Sequence, residues 1–296
     1  MASEFVETVS NPSIPSLVQE RYRQGAQSRQ VELCCPVDYD RRYLQVLPPE
    51  ILERDYGCGD PSKYLRPGER VLDLGSGGGK ICFIASQVVG PKGSVIGVDM
   101  TEEMLELARR HQSEIAAKIG WDNVQFRRGR IEDLALDMDS LDAWLQRHPV
   151  RDLAGFQALQ EKVERLRREQ PMIPARSVDV IVSNCVLNLV ETSAKHRLFG
   201  EMFRVLDSSG RAIISDIVCD RDIPQSMQQD PELWSGCISG AFREDLFLQA
   251  FLHAGFQGIE VLDRSAQAWK EVDGLQFRSL TVAAYKQAEP NTKGCC

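Results

Sequence analysis

Short apolar runs recur along the chain, and the intervals between them are filled by amphipathic stretches. RVLDLGSG (70–77) is an apolar strand running into glycines, KICFIASQVVG (80–90) is the helix after it, and SVIGVDM (94–100) is a second strand. EEMLELARRHQSEIAAKIG (102–120) has helical spacing, with Thr101 as its cap and Met100 and Leu105 placed as a hydrophobic staple. NVQFRRG (123–129), VDVIVSNC (178–185) and RAIISDIV (211–218) give third, fourth and fifth strands, with a helix around AKHRLFGEMFRVL (194–206) between the last two. Strands alternating with helices predict an α/β fold, a doubly wound and mostly parallel sheet covered on both faces.

The flanks break this rhythm. In the first sixty residues the pattern gives two helices, SLVQERYRQGAQ (16–27), capped by Ser16 with Gln19 for the reciprocal bond, and PPEILERDYG (48–57), ending at Gly57; ELCCPVDYD links them. From about 136 to 176 the chain is charged and carries two helical patterns. Leu153, Phe156, Leu159, Val163 and Leu166 form a stripe whose face should pack, as a helical hairpin over the sheet edge or as a lid or dimerisation arm. After Val218 come the peptide ELWSGCISGAF, a helix REDLFLQAFLHAGF and two strand-like runs, GIEVLDRS and FRSLTVAAYK. The expected organisation is an N-terminal helical cap (1–60), a ligand-binding α/β domain (61–220), a C-terminal α+β substrate region (221–286) and a polar tail (287–296).

Composition narrows the function. The 296 residues are 43% hydrophobic and 26% charged, with a net charge of −8, which argues against nucleic acid or an anionic membrane as partner. The first ten residues lack the basic start and apolar centre of a signal peptide, and the expected setting is cytoplasmic and monomeric. In such a compartment nine cysteines, odd in number and without a C-x-x-C pair, read as thiols and not as a disulfide framework.

Two chemistries remain. VLDLGSGGGK puts Asp73, Gly75, Gly77 and Gly79 between a strand and a helix, where backbone can approach a ligand and a helix start offers free N–H groups. The second strand ends in GVDM, so Asp99 can accept ribose hydroxyls, with Met100 beside it. RRGRIEDL then places Ile131 and Glu132 or Asp133 at the third strand end, suited to an adenine rim, and Asn184 ends the fourth strand over the same crevice. Together these motifs, over roughly 70–218, resemble those of class I S-adenosylmethionine-dependent methyltransferases.

The other chemistry is sulfur. Cys185 follows the fourth strand, Cys58 lies between glycines in DYGCGDP, and Cys237 lies in WSGCISG. Thiolates choose soft, thiophilic centres. Trivalent arsenic is one: three sulfurs bind it as a pyramid whose lone pair can attack a sulfonium methyl group with no general base. His111, His148, His196 and His253 show no carboxylate partner in the sequence and read as solvated positions. Cys82 reads as helix core and Cys219 as a bystander at a strand end.

At this point the sequence closely resembles the arsenite methyltransferase family, through VQERYRQG, Cys34-Cys35, DYGCG, VLDLGSGGGK, VIGVDMTEEMLELA, SNCVLNLV and ELWSGCISGA. The resemblance implies that Cys58, Cys185 and Cys237 are arsenic ligands and that Tyr56 lies beside the sulfonium of S-adenosyl-L-methionine. It further implies that Cys34 or Cys35 forms a disulfide with Cys58 during turnover, reopened by thioredoxin or glutathione, on arsenite or its thiol conjugates as substrate. One departure stands out: GGGKIC replaces the family's usual G-S-G-R-D-C, putting Lys80 and Ile81 at the cofactor loop. Two other readings stay open, a methyltransferase of an organic small molecule with packing thiols, and a non-enzymatic arsenic-binding protein.

Overall fold

The computed structural model describes residues 13–30 and 37–287. The expectations for Cys34, Cys35 and the Cys295-Cys296 tail lie outside the described residues. In chain order the helices are α1 (Ile14–Gln27), α2 (Arg41–Leu44), α3 (Pro49–Glu53), α4 (Lys80–Val89), α5 (Glu102–Ile119), α6 (Met138–Leu145), α7 (Leu153–Glu169), α8 (Lys195–Val205), α9 (Gln225–Gln228), α10 (Pro231–Ser235) and α11 (Glu244–His253). The strands are β1 (Arg70–Leu74), β2 (Ser94–Asp99), β3 (Val124–Arg128), β4 (Val178–Asn184), β5 (Leu206–Cys219), β6 (Phe242–Arg243), β7 (Gln257–Arg264), β8 (Lys270–Val272) and β9 (Leu275–Tyr285).

Among the described residues, all nine strands join one sheet with the central order β3-β2-β1-β4-β5-β9-β7. The first five pair in parallel, and β9 lies antiparallel between β5 and β7. Alternate residues feed opposite faces, as the two-residue strand period requires. Leu72, Leu74, Ile181 and Ile214 pack with Leu198, Phe199 and Phe251 on one side. Val71, Val180, Val182 and Ile213 pack with Phe83, Ile84 and Leu105 on the other. This is the doubly wound arrangement that the alternation predicts. Its chain order reverses between β1 and β4, so the ligand crevice opens above their carboxyl ends. No helix among the described residues is long and apolar enough to cross a membrane.

Several local expectations need correction. Helix α1 starts at Ile14 after Ser13, with proline in its first turn, so Ser16 is inside the helix; its hydroxyl meets that of Ser13 at 2.9 Å. Helix α3 stops at Glu53 and not at Gly57, and beyond that end the amides of Cys58 and Gly59 donate to Asn184. Thr101 does occupy the cap position of α5 but makes no side-chain cap bond, and its own amide donates to Asp99 Oδ1 at 2.8 Å. The short strands β6 and β8 had no sequence signal.

The 136–176 segment is a pair of helices capped by Asp137 and Asp152. Arg128, at the end of edge strand β3, holds α6 through Asp139 (2.7 Å) and Asp142, and Arg167 of α7 pairs with Asp133 at 2.6 Å. The apolar stripe of α7 does not pack as one face. Leu166 is buried, whereas Leu153 and Phe156 stay 71% and 46% exposed, because α7 is tied down near its C-terminal end only.

Candidate active site

The cleft above β1, β2 and β4 is walled by the glycine turn, the ends of β2 and β3, and helix α1. Gly75 (φ 68°) and Gly77 (φ 51°) both have backbone in the left-handed region. A Cβ on Gly75 would strike Val186 at 2.3 Å, while one on Gly77 would meet nothing within 4 Å, so open space lies over that peptide. Asp99 is oriented by two backbone donors, Gly77 N at 2.9 Å and Thr101 N at 2.8 Å. Met100, Ile131 and Glu132 line the same cleft, and the carboxylate of Glu132 is held by Arg130 at 2.5 Å. Asp133 instead pairs with Arg167, so of the two acids Glu132 is the one that lines the cleft.

Asp73 lies at the floor, buried, and accepts the Cys82 thiol at 3.2 Å. Burial pushes its carboxyl up to about 7. Burial also raises Asp99. Lys80, where the family pattern differs, puts its ammonium on Asp55 at 2.8 Å and over the Tyr39 ring at 3.7 Å, bridging the cofactor helix to the segment that carries Cys58.

The N-terminal helix closes one side of the cleft. Tyr56 packs edge-on to Tyr22 at 6.0 Å between centroids and donates its hydroxyl to Gly25 O at 3.0 Å. A Cβ on Gly25 would sit 3.0 Å from the Tyr56 ring, which would have to shift by a few tenths of an ångström to admit it. Asn184 also lines the cleft, but its amide is fully engaged. Its Oδ1 accepts from Cys58 N and Gly59 N, and its Nδ2 donates to Tyr39 Oη and Gly59 O. Its side chain is thus a clamp on the Cys58 loop.

The three distant cysteines meet in one buried layer, together with Cys219, Ile217, Ile238 and Phe277. The sulfurs of Cys58 and Cys185 and an oxygen of Asp216 lie within 4.8 Å of one another. Cys237 donates its thiol to Cys185 O at 3.2 Å. Of the three, Cys185 faces the cleft, and Cys58 and Cys237 lie behind it. Cys185 (φ 64°) and Cys237 (φ 62°) both hold left-handed backbone, a conformation that costs a side-chain-bearing residue about 1 kcal/mol or more. Such strain gathers where a side chain must point one way.

Cys185 and Cys237 are free, buried thiols. Contact with Cys185 and then burial push the Cys237 thiol well up, while the Tyr22 hydroxyl draws it down. For Cys185, the Cys237 contact pulls down, but Cys58, burial and Asp216 carry the net shift well upward. Thiols packed together in this way suit a thiophilic ligand that displaces their protons.

Sequence reasoning missed Tyr22, Asn188 and Asp216. Asp216 could have been flagged, since a carboxylate in the middle of the apolar run AIISDIV is out of place unless it has work there. One histidine also needs correction: His111 is half-buried with Nε2 2.7 Å from Glu50, in a cluster with Arg54 and Arg110 outside the thiol layer.

A methyltransferase-domain family model matches residues 65–173 and 151–272. An arsenite methyltransferase of Halobacterium salinarum is 37% identical over 241 residues, 78% of this chain and 51% of its own length. One from Aquipseudomonas alcaligenes is 34% identical over 275 residues, 89% of this chain and 68% of its own. This chain therefore spans about half to two thirds of these curated relatives. Among solved structures, an arsenic(III) S-adenosylmethionine methyltransferase from Chlamydomonas reinhardtii aligns at a TM-score of 0.65 with 31% identity, covering 85% of this chain and 75% of its own.

Proposed function

The chain belongs to the arsenite methyltransferase family, and we propose that it transfers methyl groups from S-adenosyl-L-methionine to trivalent arsenic held by Cys58, Cys185 and Cys237. The single observation that carries the reading is the meeting of these three cysteines, separated by up to 179 positions, in one buried layer whose Cys185 faces the glycine-turn cleft.

The residues present fit the methyl donor. Open space over Gly77, the fixed carboxylate of Asp99, and Ile131 and Glu132 at the β3 end suit an adenosine, with Met100, Gly75 and the buried acid Asp73 adjoining. Tyr56 offers an aromatic wall to a cation. When bound, S-adenosylmethionine supplies an electrophilic methyl group on a sulfonium.

The chain's own residues do the rest. The three thiols bind arsenite or its thiol conjugate, and their protons leave with the oxygen or thiol ligands they displace. Burial among Ile217, Ile238 and Phe277 excludes water from the resulting arsenic–sulfur bonds. Asn184 fixes the Cys58 loop, and Tyr22 steadies Cys237 from α1. No base is needed, because the arsenic lone pair carries no proton.

Methylation takes arsenic from the trivalent to the pentavalent state, so two electrons must return before another round. Two thiols closing a disulfide supply them, Cys58 with Cys34 or Cys35 in this reading, and thioredoxin or glutathione reopens the bond by exchange. The test is direct. Protein given arsenite, S-adenosylmethionine and a dithiol should release methylarsenicals, resolved by chromatography with elemental detection. Arsenite recovered unmethylated, from protein shown to bind both partners, would refute the reading.

A further inference from the structure

Beside the thiols, β5 carries a carboxylate that the mechanism above leaves idle. Asp216 is 0% exposed. It accepts hydrogen bonds from Leu187 N (2.9 Å), Ile217 N (2.8 Å) and Asn188 Nδ2 (2.8 Å), which fix its direction. One of its oxygens lies within 4.8 Å of the sulfurs of both Cys58 and Cys185. The buried cation nearby, Lys195, gives its ammonium to the Gly240 carbonyl and sits 4.0 Å from the centre of the Phe242 ring. Among the described residues, no ion pair joins Lys195 to Asp216. A buried carboxylate with no cation in direct contact is expensive.

Resting on the methylation reading, we propose that Asp216 is the electrostatic partner of the positive charge that arsenic acquires as it is methylated. Trivalent arsenic bound to three thiolates is neutral overall. As the arsenic lone pair becomes the As–C bond, the donor's C–S bond breaks and its electron pair stays on sulfur. The donor sulfur loses its positive charge, arsenic gains one, and arsenic passes from the trivalent to the pentavalent state. A fixed anion on the thiol side therefore interacts more strongly with the transition state than with the bound substrate, and that difference accelerates the step. The three N–H donors hold the carboxylate in place beforehand, so nothing need reorganise as the charge arrives.

Burial pushes the Asp216 carboxyl up to about 6. The Ile217 amide, the Lys195 charge and the Leu187 and Asn188 amides hold it down against that pressure. This role differs from general base catalysis, because no proton moves.

Three variants of the full chain test the assignment. Asp216→Asn and Asp216→Ser are uncharged, and Asp216→Glu keeps the charge one methylene further out. Arsenite affinity, read by tryptophan quenching, and the single-turnover rate of methyl transfer are measured separately on every variant that retains the parental circular dichroism. The expected result is near-parental arsenite affinity with a transfer rate lowered roughly 10²-fold in the uncharged variants, and partial recovery in Asp216→Glu. An uncharged, folded variant that transfers at the parental rate overturns the proposal. So does one whose rate falls only in step with its arsenite affinity, since that marks a purely structural role. Parental protein that binds arsenite but methylates nothing fails at the earlier reading, and the role of Asp216 falls with it.

Discussion

Asn184, the last residue of β4, holds the backbone of Cys58, 126 positions earlier in the chain. Its Oδ1 accepts the Cys58 amide at 2.9 Å and the Gly59 amide at 3.0 Å, and its Nδ2 reaches the Gly59 carbonyl at 2.8 Å. Ser279 of β9 completes the grip by donating to the Cys58 carbonyl at 2.7 Å. One thiol is thereby fixed to the strand end that presents another, Cys185.

Asn184→Ala should loosen that grip. The Cys58 and Gly59 amides lose their acceptor and the Gly59 carbonyl loses a donor, which costs about 3 kcal/mol of stability. Arsenite affinity should fall further than affinity for the methyl donor. Urea midpoints and paired titrations check both parts. A variant with unchanged stability and arsenite affinity would contradict the clamp.

The two halves of the site should separate by mutation. Cys185→Ser or Cys237→Ser should weaken arsenite binding by about tenfold or more while affinity for S-adenosylmethionine stays near parental. Asp99→Ala should do the reverse, weakening donor binding by about tenfold or more through loss of a charged hydrogen-bond acceptor. Calorimetric titration of each ligand reads the pattern. Equal loss of both ligands in every variant would indicate one collapsed fold and no division of labour.

Asp73 gives the ligand-free protein a pH dependence of definite sign. Its carboxyl is raised from an ordinary 3.8 to about 7 by burial. Between those values the folded state keeps a proton that the unfolded chain releases, so the stability contributed below pH 4 is lost as pH rises toward 7. The loss amounts to about 4 kcal/mol at most. Denaturant midpoints should decline over this range, and Asp73→Asn should flatten the decline. A parental slope in the Asn variant would assign the effect to other groups, such as Asp216.

The exposed stripe of α7 should be dispensable for folding. Leu153→Ser and Phe156→Ser should change stability by no more than about 0.5 kcal/mol, as is usual for exposed positions. A larger loss in thermal or urea unfolding would mean that this face is covered in solution.

Much of this was legible in the sequence because it depends on local pattern. The apolar runs of β1, β2 and β4, the glycine turn and Asp99 each state their role within a few residues, and period-two alternation assigns them to a sheet. The convergence of Cys58, Cys185 and Cys237 was reached through family resemblance, since nothing in the spacing of three cysteines fixes their distances in space. Other features were hidden for physical reasons. Asn184 reads as a cofactor contact from its position at a strand end, and only its four hydrogen bonds reveal a clamp. Glu50 and His111 are 61 positions apart, so their pairing follows from the packing of α3 on α5. The α7 stripe has the period of a buried face, but periodicity cannot say whether a partner surface exists.

X-ray absorption at the arsenic edge, on the full chain loaded with one equivalent of arsenite, tests the central claim most directly. The expected spectrum has three sulfur neighbours and no oxygen, reduced to two sulfurs in Cys185→Ser and again in Cys237→Ser. Arsenic that keeps oxygen ligands in the parental protein, or a three-sulfur shell that survives both substitutions, would contradict it.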